Sequence, residues 1–162
     1  MSRAATPAPS PGRAPLSAYE LEFLEHENGR GYVVVRRADG QRLRWETLPR
    51  AEGLYSVGVT GARFHAAALE DASFAPPSPL KLRREPDNPH DPAAVAVWNA
   101  SETLMAGYLA REDAAWLSKH LDGGDPFGAL AMWETLEAGH RVHLRILLLN
   151  QTALARGVSI RP

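Results

Sequence analysis

The sequence predicts a mainly β fold with one or two helices: a small barrel or strongly curved sheet preceded by a β-meander. Short runs of alternating or β-branched residues recur at close spacing, separated by turn residues. One segment has helical periodicity instead. In 111–121, Ala114, Leu117 and Leu121 share a face with Ala115 and Trp116 beside it, and Asp122-Gly123-Gly124 stops the run. The apolar share, 44%, is enough for a packed core.

In chain order, residues 1–15 are rich in Ala, Pro and Ser without periodicity and read as a disordered tail. Residues 16–52 read as a three-stranded meander. Tyr19–Glu25 alternates apolar with acidic, Tyr32–Arg36 is β-branched, and Gln41–Trp45 comes after the tight-turn dipeptide Asp39-Gly40. Three short strands are too few to stand alone, so this extension should pack on the main domain. Arg36, Arg37, Arg42 and Arg44 bracket its second turn, as a solvated edge or as a hairpin against nucleic acid. The main domain is expected over 53–150. Tyr55–Gly61 is a strand, and Phe64–Leu69 either continues it or forms a short helix. After the Pro-rich 75–79, strands are expected at Leu80–Arg83, Ala93–Trp98 and Met105–Leu109. Phe127–Leu136 and Arg141–Leu149 come after the helix, joined by a turn at 137–140. Trp98, Trp116, Phe127 and Trp133 are expected in the core. Residues 151–162 read as a C-terminal tail, and no internal repeat is present.

The chain has no cysteine, which excludes disulfides, thiolate metal sites and a cysteine nucleophile. No run nears the length of a membrane span, and the N-terminus lacks a signal-peptide core. A cytoplasmic protein with no membrane partner is expected, nucleoid-associated at most. Net charge is −1, yet residues 51–149 carry thirteen acidic against eight basic side chains. That argues against a broad surface for duplex DNA, whose affinity comes mostly from phosphate neutralisation. One end of a single strand needs less charge.

The stretch from Leu80 to Val97 concentrates the polar chemistry. A basic strand runs into Glu85-Pro86-Asp87-Asn88-Pro89-His90-Asp91-Pro92, then into an apolar strand. Three prolines within seven residues stiffen the turn. It can present Asn88, His90 and Asp91 as a site, or simply close a turn in which Asp91 caps backbone N–H groups. Lys81 and Arg83 alternate outward from the preceding strand, where they are either solvated or line a groove. No catalytic motif is found. The histidines lack metal-ligand spacing, and neither a Gly-rich phosphate loop with a Lys nor a G-x-S-x-G elbow occurs. No cofactor is expected.

Several motifs in order give the segment from Gly53 to about Asn150 a resemblance to the HIRAN domain. They are Val57-Gly58-Val59, then Leu82-Arg83-Arg84-Glu85-Pro86-Asp87-Asn88-Pro89-His90-Asp91 against the family's L-x-R-E-P-x-N-P-x-D. Ala94–Val97 comes next, then Ala106-Gly107-Tyr108-Leu109-Ala110-Arg111-Glu112 against v-G-[YH]-[IL]-p-R-E. The resemblance implies an OB-like β-barrel that binds single-stranded DNA at a free 3′ end, in DNA repair or replication-fork processing. It implies base stacking by Tyr55 and His90, turn bracing by Asn88, acceptance of the terminal hydroxyl by Asp91, and phosphate contacts by Tyr108 and Arg111. An aromatic expected near the final strand falls on His140. The basic residue that tends to precede the first-strand aromatic is replaced by Leu54. Two other readings stay open: a protein-interaction adaptor using the barrel or an exposed sheet edge, with a partner in DNA repair, and a small metal-dependent hydrolase built on Asp91, His90 and a neighbouring carboxylate.

Overall fold

A computed structural model describes residues 18–150 and the backbone of Ser159–Arg161. The tail expected over 1–15, and most of the one expected over 151–162, lie outside the described residues. Strands β1 (Tyr19–His26), β2 (Gly29–Arg36) and β3 (Gln41–Leu43) form the meander. Strands β4 (Leu54–Thr60), β5 (Pro79–Arg84), β6 (Val95–Asn99) and β7 (Met105–Leu109) precede the long β8 (Phe127–Glu137) and β9 (His140–Asn150). Helix α1 (Ala66–Leu69) comes after β4, α2 (Arg111–Asp122) comes after β7, and β10 is Ser159–Arg161. The third meander strand ends before Trp45, which opens a 3-10 turn, Trp45–Thr47, leading to the buried Leu48.

The order β8-β5-β6-β7-β4-β9, with β9 pairing back onto β8, closes a six-stranded barrel. β8 is long enough to serve two neighbours along one edge. Pro79 and Leu80 of β5 pair with Leu130 and Ala129, whereas Gly29, Arg30 and Gly31 of β2 pair with Thr135, Glu134 and Trp133. The meander is thus an extension of the barrel's own sheet. β10 lies parallel on the other side of β1, pairing Ser159 with Glu20 and Ile160 with Leu21.

Strand periodicity produces two cores from one hairpin. Ala129, Ala131, Leu144, Ile146 and Leu148 point into the barrel, against Val57, Val59, Phe74, Val95, Val97 and Leu117. The alternate residues Met132 and Leu147 point outward and meet Tyr19, Leu21, Val34, Leu48 and Leu54. Each fully buried Leu or Ile contributes about 1.5–3 kcal/mol, so covering the outer face is a substantial part of the stability. Trp98, Trp116, Phe127 and Trp133 are half-buried. They sit at the margins of these cores, where large rings meet solvent on one side.

One buried charge ties the two parts together. Glu134 is 2% exposed. Its Oε1 accepts from Arg30 Nε of β2 at 2.6 Å, and its Oε2 accepts from Arg141 Nε of β9 at 2.6 Å. Arg141 also donates to the carbonyls of Leu69 and Asp71, fastening the segment after α1. A carboxylate this buried is tolerable only because both oxygens are paired.

Removing it strands the nearly buried Arg141. Glu134→Ala is expected to lower the unfolding free energy by about 3–5 kcal/mol. Glu25→Ala, which breaks the exposed Arg30–Glu25 pair, should leave the urea midpoint nearly unmoved. Equal midpoints for the two variants would refute the role given to Glu134.

Candidate functional site

The turn between β5 and β6 is held by its own polar groups. Asn88 Oδ1 accepts from the backbone N–H of His90 at 2.9 Å and of Asp91 at 3.1 Å. Asn88 Nδ2 donates to Glu85 Oε1 at 3.1 Å. Asp91 Oδ1 accepts from Ala93 N at 2.9 Å. Beneath, Arg84 Nη1 donates to the carbonyls of Pro92 and Ala94, at 3.0 and 2.9 Å, while Arg84 Nε donates to Asp122 Oδ1 at 2.9 Å. That guanidinium holds the Asp122 carboxyl below the usual carboxylate range. The loop is therefore braced from the barrel and from the end of α2.

Opposite the turn stands the β4–β7 pair. Gly107 has φ 144°, and a Cβ there would lie 2.3 Å from the Thr60 carbonyl oxygen. Only glycine lets the strands approach so closely. The register places Thr60 across from Tyr108, with Thr60 Oγ1 donating to the Tyr108 carbonyl at 3.1 Å. The Tyr108 hydroxyl donates to Glu85 Oε1 at 3.0 Å. Burial first, then this bond to an acidic oxygen, raises the Tyr108 pKa. Its proton is already committed, so Tyr108 is a wall of the site and has none to give a phosphate in this arrangement.

Between turn and strands lies an open cavity of about 260 Å³, lined among others by Thr60, Asn88, His90, Asp91, Tyr108 and Arg111. Asp91 and Arg111 face each other across it, Oδ2 to Nε, at 3.8 Å; their side chains are 22% and 76% exposed. Arg111 Nη2 also donates to the His90 carbonyl at 3.0 Å. An anionic acceptor and an exposed cation thus stand side by side at the mouth.

Five expected site residues, Asn88, His90, Asp91, Tyr108 and Arg111, come together here. Four lie elsewhere. Tyr55 is stacked on Trp116 of α2, with centroids 4.8 Å apart and planes at 27°, and Phe127 and Arg50 lie close to its ring. Lys81 projects from β5 into solvent. Arg83, on the same outer face, lies over the Trp98 ring at 4.6 Å and donates to Glu102 at 2.9 Å. His140 is exposed at the β8–β9 turn with Nδ1 3.0 Å from Glu70 Oε1. Thr60 and Glu85 were missed as site residues. Glu85 stood in the turn motif, but its bridging of Asn88 and Tyr108 depends on pairing across the barrel. Among the described residues no group of three His, Asp or Glu side chains is placed to hold a metal ion, and no helix is long and apolar enough to cross a membrane.

A family model described as the HIRAN domain matches residues 52–146. No curated protein matches the chain. Two solved structures are similar. A protein from Lactobacillus plantarum has 24% identity and a TM-score of 0.47, over 57% of this chain and 87% of its own. The HIRAN domain of human HLTF has 19% identity and a TM-score of 0.46, over 68% of this chain and 94% of its own.

The Tyr108–Glu85 bond is open to an alkaline titration. A raised folded-state pKa means that the neutral phenol contributes stability below the unfolded value of about 10, which is lost as pH rises through the folded value. Ultraviolet titration should show a late-ionising tyrosine that is absent in Tyr108→Phe, and the stability of that variant should fall less steeply above pH 10. Identical titration curves would overturn the assignment.

Proposed function

We propose a DNA-end-binding function on the premise that the match supplies: the chain belongs to the HIRAN domain family, whose members are nucleic-acid-binding domains. The ligand is a single DNA strand, held by its free 3′ end during repair or fork processing. The observation that carries this reading is the Asp91–Arg111 pair. With Oδ1 tied to Ala93 N–H, Asp91 keeps Oδ2 turned toward Arg111 and the open cavity. A terminal 3′-hydroxyl has a proton to donate to such an oxygen. The phosphate on the 5′ side of the same nucleotide is an anion, for which Arg111 supplies charge and N–H donors. The two groups needed for an end thus stand beside one another at the cavity, Oδ2 and Nε 3.8 Å apart.

Selectivity arises from the same carboxylate. An internal phosphodiester, or a 3′-phosphate, brings negative charge and no hydroxyl proton to Asp91, so it is repelled. Asn88 keeps the turn in shape, Tyr108 forms the wall, and His90, exposed on the turn, takes the stacking role beside the terminal base. Tyr55 is left out of this role because its ring already lies on Trp116. The low charge of the region suits a ligand that presents few phosphates, and binding should still weaken with salt, with a slope of about −0.7 per phosphate engaged.

Fluorescence anisotropy with short oligonucleotides ending in a 3′-hydroxyl or a 3′-phosphate tests the reading. The hydroxyl form should bind more tightly, by about tenfold, the worth of one hydrogen bond to a charged group. Asp91→Asn keeps the oxygen that caps Ala93 and removes the charge, so it should abolish that preference. Equal binding of both ends by the unaltered protein sinks the proposal.

A further inference from the structure

A second cavity, of about 280 Å³, lies where the meander meets the outer face of the barrel, away from Asp91 and Arg111. His26 and Tyr32 from the meander, Trp45 from the 3-10 turn, Trp133 from β8 and Arg145 from β9 contribute to its walls. Arg145 is the unusual member. Its guanidinium carbon lies 3.6 Å from the Trp45 ring centroid, and its Nη1 donates to Ser56 Oγ at 3.2 Å. Among the described residues no carboxylate stands within ion-pair distance of it. Glu46, on the same turn as Trp45, is taken by Arg44 at 3.6 Å. Burial makes this cation costly, and the neighbouring His143 is held toward its neutral form by burial and by Arg145. A partly desolvated guanidinium that rests on a ring and a hydroxyl, with Glu46 and Asp113 acting on it only from beyond ion-pair distance, is suited to receiving an anion. Aromatic rings around it suit a planar, sequence-tolerant partner. A flat ring beside an anion is the chemistry of a nucleotide.

The strand geometry connects this cavity to the first. Ser56, Gly58 and Thr60 alternate onto one face of β4, opposite the core-facing Val57 and Val59. Thr60 lines the Asp91 cavity and Ser56 touches Arg145. At about 3.3 Å per residue, the four steps from Ser56 to Thr60 span roughly 13 Å. Midway, Gly58 presents no side chain, and the His143 ring lies alongside, 3.5 Å from where a Cβ would stand. The His143 ring and the Arg145 guanidinium thus line the path between the cavities.

We propose that the meander–barrel cavity is a second nucleotide subsite, taking a base and a phosphate of the same single strand a short distance upstream of its 3′ end. The strand assignment rests on the end-binding reading; the subsite itself rests on Arg145 and the rings. In this arrangement the meander supplies part of the binding surface as well as covering the barrel.

The test measures binding of a thymidine dinucleotide and of a strand of about eight thymidines, both with 3′-hydroxyls, to the full chain. The longer strand lies within the site sizes usual for such folds and should bind at least about tenfold more tightly, through added stacking. Trp45→Ala and Arg145→Gln should each erase most of that gain and leave dinucleotide affinity unchanged, while Trp45→Phe should keep most of it. A gain that is absent from the unaltered protein, that survives both substitutions, or that Trp45→Phe fails to keep overturns the proposal. The two readings fail separately. If a 3′-phosphate on the longer strand binds as well as a hydroxyl while the gain still depends on Trp45 and Arg145, the end-binding reading falls and the subsite stands.

Discussion

A hairpin with apolar side chains on both faces must be covered twice. β8 and β9 impose that requirement on the whole molecule. Their inward residues are satisfied by closing the barrel, and their outward residues, Met132 and Leu147 with the half-buried Leu130 and Leu149, need a second layer. The meander supplies it by pairing with β8 where β5 leaves off. Gly31 marks how tight the junction is: a Cβ there would sit 2.1 Å from the Met132 carbonyl oxygen. A bare backbone at this point and a paired carboxylate at Glu134 fix the relation between meander and barrel. The meander–barrel cavity owes its shape to that frame.

Rigidity at the Asp91 cavity comes from satisfied polar groups more than from apolar packing. Asn88 closes two backbone donors and leans on Glu85, and Glu85 also receives Tyr108. The prolines cannot donate, so side chains take over the hydrogen bonding of the loop. Such a network holds its members near one geometry whether or not a ligand is present, which limits the entropy lost on binding. Arg111 is the exception, a long exposed side chain free to turn from His90 and Asp91 toward an incoming anion.

Much of this was legible in the residues. Alternation marked β1 and β4, Asp39-Gly40 marked a turn, and the spacing of Ala114 and Leu117 marked α2. The Asn88–Asp91 turn and the Gly107-Tyr108 strand stood out through their likeness to a family pattern, and they do converge. The failures share a cause. Trp45 looked like the end of a strand, because a 3-10 turn fixed by the burial of Leu48 leaves no local signature. The four large aromatics assigned to the core sit at its margins, since apolar character says nothing about which side of a ring meets water. Tyr55 and His140 were carried over from the family pattern, which does not show that Tyr55 stacks on Trp116 or that His140 pairs with Glu70, both contacts between distant segments. The run Ile146–Leu149 did contain a hint: losing alternation means burial on both faces.

The parallel pairing of β10 with β1 has a kinetic side. Glu20 and Ser159 meet across nearly the whole length of the chain, so the contact is among the most expensive in loop closure and belongs late in folding. During synthesis β1 emerges long before its parallel partner, and for that interval its outer backbone groups are a bare edge open to other chains. In the folded chain Glu20, Glu22 and Glu25 along that strand are paired with Arg37, Arg42 and Arg30 of the meander, so what closes the edge is the strand that arrives last.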